Sequence, residues 1–419
     1  MMEKMLLNNV DKPNSEKIST YISGGGYKSL EAALKKEPEK LIETVKASGL
    51  RGRGGAGFPT GLKWSFIPKD PTLAKYLVCN ADEGEPGTFK DRVIIEKDPH
   101  LLIEGMIISS YAIGGATSYI YIRGEFVQGT KILEEAIKEA YEKGYLGKNI
   151  LGSKFSHDMH VHRGFGAYIC GEETALLESL EGLRGQPRKK PPFPALAGLY
   201  AKPTVINNVE TLSCIPAIVS KGADWFKGIG PEKSPGTKLF CVSGHVEKPG
   251  TVELPMGTPL REIIYDHCGG IKGGKKIKAI VPGGVSAPIL MPSYLDIAMD
   301  FDTLAAKKTM LGSGAIVVMD ETTCMVKVAY IVNRFFSHES CGKCTPCREG
   351  TAWLTQVLKR IEYGKGKKSD IKLLDEVCDN IFGNTFCPLG DGAVMALRGF
   401  LHNFRDEFEY HIERKECMV

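Results

Sequence analysis

The segment Ser340-Cys341-Gly342-Lys343-Cys344-Thr345-Pro346-Cys347 is answered forty residues later by Cys387-Pro388. Three thiols at two-residue gaps reach one small inorganic core, and Cys387 can close a set of four. Soft thiolates in that number select an iron–sulfur cluster or zinc over hard cations. Structural zinc commonly uses two Cys-x-x-Cys pairs. A tight run of three with a remote Cys-Pro reads instead as a [4Fe–4S] site that moves electrons singly, with structural zinc as the alternative. Cys378 competes as the fourth ligand, but it falls in a helical pattern and lacks the trailing proline.

The first half carries glycine and carboxylate loops. Gly52-Arg53-Gly54-Gly55-Ala56-Gly57 satisfies G-x-G-x-x-G literally, yet that fingerprint needs a strand before it and a helix after it. A helical stretch precedes it, and Phe58-Pro59-Thr60-Gly61 is read as excluding a helical first turn, so the standard Rossmann reading fails. What remains is a loop that bares backbone N–H groups to a phosphate or a planar ring, or else a plain surface turn. Lys63 beside it offers a cation, and Trp64 and Phe66 offer stacking rings. Asn80, Asp82, Glu83 and Glu85 crowd one loop after a strand, where carboxylates can hold ribose hydroxyls or ring N–H groups. A solvated turn or a weak calcium loop would have the same composition. Tyr168-Ile169-Cys170-Gly171-Glu172-Glu173 is read as ending a strand and opening a helix over 174–180. Glutamates there also complement a helix dipole with no further function.

Two other patterns are weaker. His160 and His162 share a strand face near His157 but lack a local carboxylate pair. Residues 269–276 imitate a P-loop, with Lys276 where Ser or Thr must meet magnesium. There is no G-x-S-x-G, H-E-x-x-H or kinase motif.

These residues need a scaffold. Apolar spacing predicts helices within 28–48 around Pro38, a strand over 75–79, a helix over 99–113, a strand over 118–123 and a helix over 129–143. Such alternation argues for an open α/β sheet with ligands at the strand ends. Residues 184–204 read as a Pro- and Lys-rich extended stretch. Beyond 235, short strands over 238–244, 250–254 and 278–284 around a helix at 259–267 suggest a small β-grasp module ending near 320. Helices over 325–336, 349–363, 371–382 and 392–404 suggest a four-helix bundle carrying the cysteines. The expected division is 1–234, a ligand-binding α/β domain; 235–322, the β-grasp module; and 323–419, the helical bundle.

Composition narrows the class. The 419 residues allow several cored domains, and 54 basic against 50 acidic residues leave +4, which gives no reason to invoke nucleic acid. The 12 cysteines show no disulfide framework spacing, which favours a reducing compartment. Met1 to Lys17 lacks the apolar stretch of a signal peptide and the Arg- and Ser-rich character of an import sequence. The apolar windows at 101–113 and 315–319 fall far short of the ~20 residues that span a bilayer. Any membrane role goes through a partner.

Four long segments in order, Gly49 to Trp64, Asn80 to Gly87, Tyr168 to Leu176 and Glu339 to Gly350, resemble the NADH- and FMN-binding subunit of respiratory complex I. Diaphorase subunits of NAD-linked hydrogenases and formate dehydrogenases share these motifs, often with extra iron–sulfur domains fused at either end. Their absence here favours the complex I type. Phe165 departs from the pattern, which has a smaller residue at that place.

The resemblance implies that the backbone of Gly52, Arg53, Gly54, Gly55, Ala56 and Gly57, with Lys63, Asn80, Asp82, Gly171 and Glu172, surrounds FMN. Asn207, Asn208 and Thr211 would hold its phosphate end. Phe58, Phe66 and Phe193 would stack on the adenine side of NADH, and Glu85 and Glu173 would contact ribose or the nicotinamide amide. Pro59, Thr60, Gly61, Glu83 and Tyr168 complete the cofactor-binding set. Cys341, Cys344, Cys347 and Cys387 would ligate the [4Fe–4S] cluster, and the β-grasp module would be a packing element. A thioredoxin-like [2Fe–2S] subunit and the other peripheral-arm subunits are the implied partners, with quinone as the eventual acceptor. Attachment to the cytoplasmic face of the inner membrane would be indirect. Hydride brings two electrons and a cluster accepts one, so the flavin carries the chemistry and no protein acid or base is required. The different-class alternative is a non-catalytic scaffold with structural zinc.

Overall fold

A computed structural model describes residues 4–419; Met1, Met2 and Glu3, the start of the mixed-charge N-terminal segment, lie outside the described residues. Strands β1 (Tyr76–Ala81), β2 (Thr117–Ile122), β3 (Asp158–Arg163) and β4 (Thr204–Asn208) form a parallel sheet in the order β3-β2-β1-β4. Strand alternation divides their side chains between two cores. Leu77, Cys79, Ile120, Ile122 and Val205 face one, and Val78, Tyr121 and Ile206 face the other. A parallel sheet must be covered on both faces. Helices Lys28–Ala33, Pro38–Ala47, Pro99–Ile113 and Val127–Glu142 cover the first, and Glu173–Leu180 with the C-terminal helices covers the second.

The chain winds from β1 through β2 to β3 on one side, then returns so that β4 pairs with β1 on the other. The winding therefore reverses between β1 and β4. In open α/β sheets, ligands occupy the crevice at the carboxyl ends of strands at such a point. Asn80 and Asn208, directly opposite in register, mark that crevice.

The second sheet has the order β6-β5-β8-β7, from β5 (Thr237–Gly244), β6 (Gly250–Pro255), β7 (Ile277–Val281) and β8 (Ala315–Asp320). Its central β5 and β8 are parallel and its outer pairs antiparallel, a β-grasp arrangement. A buried charge network joins the two sheets. Lys238 on β5 pairs with Glu210 at 2.5 Å, Glu210 also meets Lys90 at 3.1 Å, and Lys90 meets Asp91 at 2.6 Å. Glu210 further accepts the Leu239 N–H at 2.8 Å. Burial holds the Lys238 amine down to about 8 despite Glu210 beside it.

Helices Met325–Glu339, Thr345–Glu362, Asp370–Ile381, Pro388–Asn403 and Arg405–Arg414 form the C-terminal bundle, one more than the apolar spacing indicates. Several expectations need correction. Thr60 and Gly61 do begin a helix, Thr60–Ser65, because Pro59 sets up its N-terminus. Gly61 is required there: an added Cβ would lie 2.3 Å from the Lys46 backbone nitrogen. Tyr168–Gly171 is a 3-10 turn and not a strand end, since β3 stops at Arg163. Trp64 is fully buried, its Nε1 donating to Asn207 Oδ1 at 2.8 Å, so it is no stacking face. His160 and His162 pack beside Tyr119 and Tyr121, while His157 is buried against Ser118 Oγ and the Gly115 carbonyl. His162 Nε2 is buried without a hydrogen-bond partner, its ring stacking on Tyr121.

Candidate functional site

The glycine loop folds onto the β1–β4 crevice. Gly52 donates to the Phe58 carbonyl at 2.8 Å and closes the loop base. The Arg53 N–H donates to Thr211 Oγ1 at 2.8 Å, and an added Cβ on Gly54 would stand 3.0 Å from Asn208 Cβ, so the loop lies flush on the end of β4. At Gly55 the left-handed φ of +136° faces open space, leaving backbone free for a ligand. The Arg53 side chain is fully buried and donates to the Pro235 carbonyl at 2.7 Å; it braces the loop from behind.

The β1 loop forms the opposite wall. Asn80 Nδ2 donates to the Gly171 carbonyl at 2.9 Å and its Oδ1 accepts the Asp82 N–H at 3.1 Å, tying this loop to the 168–171 turn. Asp82 is buried, its Oδ2 has no hydrogen-bond partner, and burial lifts its pKa to about 7. Glu83 is committed to structure: its carboxylate accepts the N–H groups of Lys90, Asp91 and Arg92 and so caps the helix Lys90–Lys97. Glu85 accepts from Ser286 N at 2.8 Å, Tyr168 OH at 2.6 Å and Ser286 Oγ at 2.9 Å. Burial raises its pKa, and those three donors limit the rise.

Glu172 is the N-cap of the helix Glu173–Leu180, accepting the Thr174 and Ala175 N–H groups at 2.9 Å each. The dipole-complementing reading of this loop is therefore part of the answer. Lys190 bridges Glu172 at 3.0 Å and Glu173 at 2.8 Å, and Lys63 meets Glu173 at 3.0 Å and the Ile206 carbonyl at 3.0 Å. Burial alone would raise Glu173, but the two lysines hold it below the usual range. Asn208 caps Val209–Ser213 and bonds Asp91 and Lys90, while Thr211 accepts from the glycine loop. Asn207, Asn208 and Thr211 thus already brace this wall through their side chains. Phe58 and Phe66 are exposed with ring centroids 6.4 Å apart, and Phe193 is exposed on the segment that carries Lys190.

The four cysteines converge. Cys344 and Cys387 are the N-cap residues of Thr345–Glu362 and Pro388–Asn403, each with proline in the first turn, and Cys347 lies in the first turn of the former. Two helix N-termini thus favour thiolate charge at one place. Phe386 N–H points at Cys344 Sγ from 3.5 Å, and Ser340 Oγ lies 3.2 Å from Cys347 Sγ. Burial pushes Cys347 up to about 11 and Cys387 up to about 12, so metal binding must displace their protons. Cys378 is buried inside Asp370–Ile381, with Arg398, Asp375 and Asp379 as its charged neighbours and not these thiols.

Both loci suit the groups the sequence suggests. A flavin can use the bare glycine backbone, the orphaned Asp82 oxygen and the remaining Lys63 N–H. The cysteines suit a cluster better than one zinc ion. Zinc holds sulfurs about 3.8 Å apart at its ~2.3 Å bond length. Among the described residues, the group of three ligand-type side chains within 4.8 Å of one another does not include these four. Glu172 and Lys190 share the wall of a cavity of about 280 Å³ with Phe386, Cys387 and Pro388. Arg184 and Gln186 also donate to the Cys341 carbonyl, at 3.0 and 3.2 Å, so one segment links both loci.

The turn that Asn80 ties to the β1–β4 crevice leads into Glu172, which shares a cavity wall with Cys387, a layout that suits a flavin-dependent iron–sulfur protein. Comparison with known proteins agrees. Residues 45–217 match the Nuo51 FMN-binding domain, 238–318 the SLBB domain, and 327–411 the NADH-ubiquinone oxidoreductase-F iron-sulfur binding region. The chain is 61% identical over 418 residues to the NADH-quinone oxidoreductase F subunit numbered 2 of Rhizobium meliloti (strain 1021), covering 100% of this chain and 99% of that protein. It is 52% identical to the F subunit of Streptomyces coelicolor (strain ATCC BAA-471 / A3(2) / M145), over 97% of this chain and 90% of that one. An NAD+-reducing [NiFe]-hydrogenase in the H2-reduced state is similar in structure: TM-score 0.85 at 35% identity, covering 98% of this chain and 67% of the hydrogenase chain. The chain belongs to the family of NADH-quinone oxidoreductase F subunits, and the scaffold alternative falls.

Three participants are not evident from the sequence. Lys190 is marked there only by its lysine-rich segment near Phe193. Ser286 reaches Glu85 from the β-grasp module, and Glu339 accepts the Tyr168 N–H at 2.9 Å. The last two meet their partners across 201 and 171 residues, which no local spacing encodes.

Proposed function

We propose that this chain oxidises NADH at FMN and passes the electrons singly through a [4Fe–4S] cluster toward quinone, as a peripheral subunit of a complex I-type assembly. The observation that carries the reading is the shared cavity wall: the glutamate–lysine loop and a cluster cysteine face the same space. Bound FMN supplies the conversion from paired to single electrons.

The protein's own task is to bind, align and exclude water. Gly52 to Gly57, Lys63, Asn80, Asp82, Gly171 and Glu172 form the flavin cradle, with Pro59, Thr60 and Gly61 fixing its approach. Asp82 Oδ2 accepts a donor from the ring system, and Thr211 keeps its hydroxyl hydrogen for the phosphate end. Phe58, Phe66 and Phe193 offer faces to adenine. Glu85 has one acceptor position left beyond its three bonds and uses it on ribose or amide; Glu173, its charge balanced by Lys63 and Lys190, serves the same end of the nucleotide. Cys341, Cys344, Cys347 and Cys387 ligate the cluster. Residues 1–234, 235–322 and 323–419 act as three units, the middle one also positioning Glu85 through Ser286. A thioredoxin-like [2Fe–2S] subunit is the proposed neighbour on the cytoplasmic face of the inner membrane. No helix among the described residues is long and apolar enough to cross a membrane. Identities of 51–61% to quinone-reductase relatives, against 35% to the hydrogenase, favour this role over a hydrogenase or formate dehydrogenase diaphorase.

Anaerobically purified protein should contain flavin and about four irons per chain, and NADH should bleach its flavin band. A colourless, zinc-loaded preparation refutes the proposal.

A further inference from the structure

A second group of ligand-type side chains lies at the far end of the bundle. Cys324, His411 and Cys417 have ligand atoms that all fall within 4.8 Å of one another. They come from separate segments. Cys324 is the N-cap of Met325–Glu339, His411 lies in the last turn of Arg405–Arg414, and Cys417 follows in the C-terminal tail. Glu362, the last residue of Thr345–Glu362, brings a carboxylate oxygen to 4.0 Å from Cys324 Sγ.

The spacing has room for one tetrahedral ion, and one edge matches it directly. Zn–S bonds of ~2.3 Å and Zn–N bonds of ~2.0–2.1 Å set the S···N edge at about 3.5 Å. Cys324 Sγ and His411 Nε2 are 3.4 Å apart. The matching S···O edge is also about 3.5 Å, so Glu362 need approach by only about half an ångström. His411 makes the second, independent case. It is 1% exposed, and its Nε2 faces a thiol, a weak hydrogen-bonding group. Burying an imidazole with so little compensation is unfavourable unless Nε2 gains a stronger bond. A metal ion supplies one. Both cysteines are free thiols.

We infer that Cys324, His411 and Cys417, with Glu362 as fourth ligand, form a closed structural site for a soft divalent ion of the zinc type. Two sulfurs, one imidazole and one carboxylate match the ligand types zinc takes, and four protein ligands leave no open position for catalysis. The site is separate from the cysteine cluster. Cys347 and Glu362 sit on the same helix fifteen residues apart, about 22 Å along its axis. Its effect is mechanical: it ties the N-terminus of one bundle helix, the C-terminus of another and the tail to a single point. This inference is independent of the NADH-oxidising reading.

The test uses protein with flavin and cluster loaded, given one equivalent of Zn²⁺, desalted and analysed for metals. One zinc per chain beside the cluster iron is expected, and zinc-edge X-ray absorption should show two sulfur neighbours at ~2.3 Å with nitrogen or oxygen at ~2.0 Å. Cys417→Ser alters an exposed residue and should leave iron and flavin content intact. It should weaken zinc binding by more than the ~10–100-fold that loss of an outer-shell partner costs. His411→Gln should do the same, and because this position is buried the exposed variant guards against a misfolding artefact. The inference is overturned if wild type and Cys417→Ser retain zinc equally, or if zinc is lost only with Cys387→Ser. A Cys324–Cys417 disulfide in the non-reduced peptide map also overturns it.

Discussion

Replacing Glu85 with glutamine gives the sharpest test of the nucleotide pocket. The carboxylate accepts three bonds, from Ser286 N, Ser286 Oγ and Tyr168 OH, out of about four acceptor positions. One position remains for the nucleotide. The amide of Glu85→Gln keeps the shape, and the two hydroxyls can turn to accept from its NH2, so the seam with the β-grasp module should hold. What is lost is a charged acceptor. Hydrogen bonds to charged groups contribute ~1.5–3 kcal/mol, which converts to a ~10–150-fold fall in kcat/KM for NADH. Steady-state oxidation of NADH with a one-electron dye acceptor measures it. Ser286→Ala is the control. It leaves the carboxylate and its backbone donor in place and should lower kcat/KM by no more than ~10-fold. A Glu85→Gln enzyme within about twofold of wild type refutes the role. So does a Ser286→Ala loss as large as that of Glu85→Gln, which would make Glu85 a seam residue only.

The remaining predictions address the cradle, the scaffold and the cluster. Burial lifts Asp82 to about 7, so flavin-free protein should lose stability as pH rises from about 4 through about 7, by at most ~4 kcal/mol. Asp82→Asn should reduce that slope in thermal melts at about pH 5.5 and about pH 8, with Glu83 and Asp98, also lifted to about 7 by burial, supplying the remainder; an unchanged slope contradicts the assignment. Gly61→Ala would drive a methyl to 2.3 Å from the Lys46 backbone nitrogen, and should destabilise the chain by ~3 kcal/mol or more, visible as a lowered melting midpoint. Cys387→Ser should deplete cluster iron while NADH still bleaches the flavin. Full iron content in that variant would give the fourth thiolate to another cysteine.

Much of the scaffold is legible where one physical signal dominates. Helix 99–113 can be placed to the residue because its apolar run begins at a proline and ends at Gly114 in the left-handed region. The bundle helices after Cys344 and Cys387 start earlier than apolar spacing indicates, at Thr345 and Pro388. Proline in the first turn is their start signal, but beside a cysteine it reads equally as part of a ligand motif. Strand β8 is visible only as the apolar window 315–319, too short to say more without its partners β5 and β7. At the site, residue types point to the right loops. Which carboxylates are already spent, as in Glu83 capping one helix and Glu172 another, depends on folded geometry and not on spacing.

The salt link from Lys238 to Glu210 constrains how such chains can be recombined. Each member sits in a dry seam, Lys238 on the second sheet and Glu210 just beyond the last strand of the first. Removing Glu210 strands the Lys238 amine, at ~3–5 kcal/mol, whereas removing Lys238 leaves Glu210 paired with Lys90. A transplanted β-grasp insert that carries this amine therefore needs a glutamate waiting at the equivalent place, while one without it leaves Glu210 to Lys90. The apparent interchangeability of parts ends at that seam.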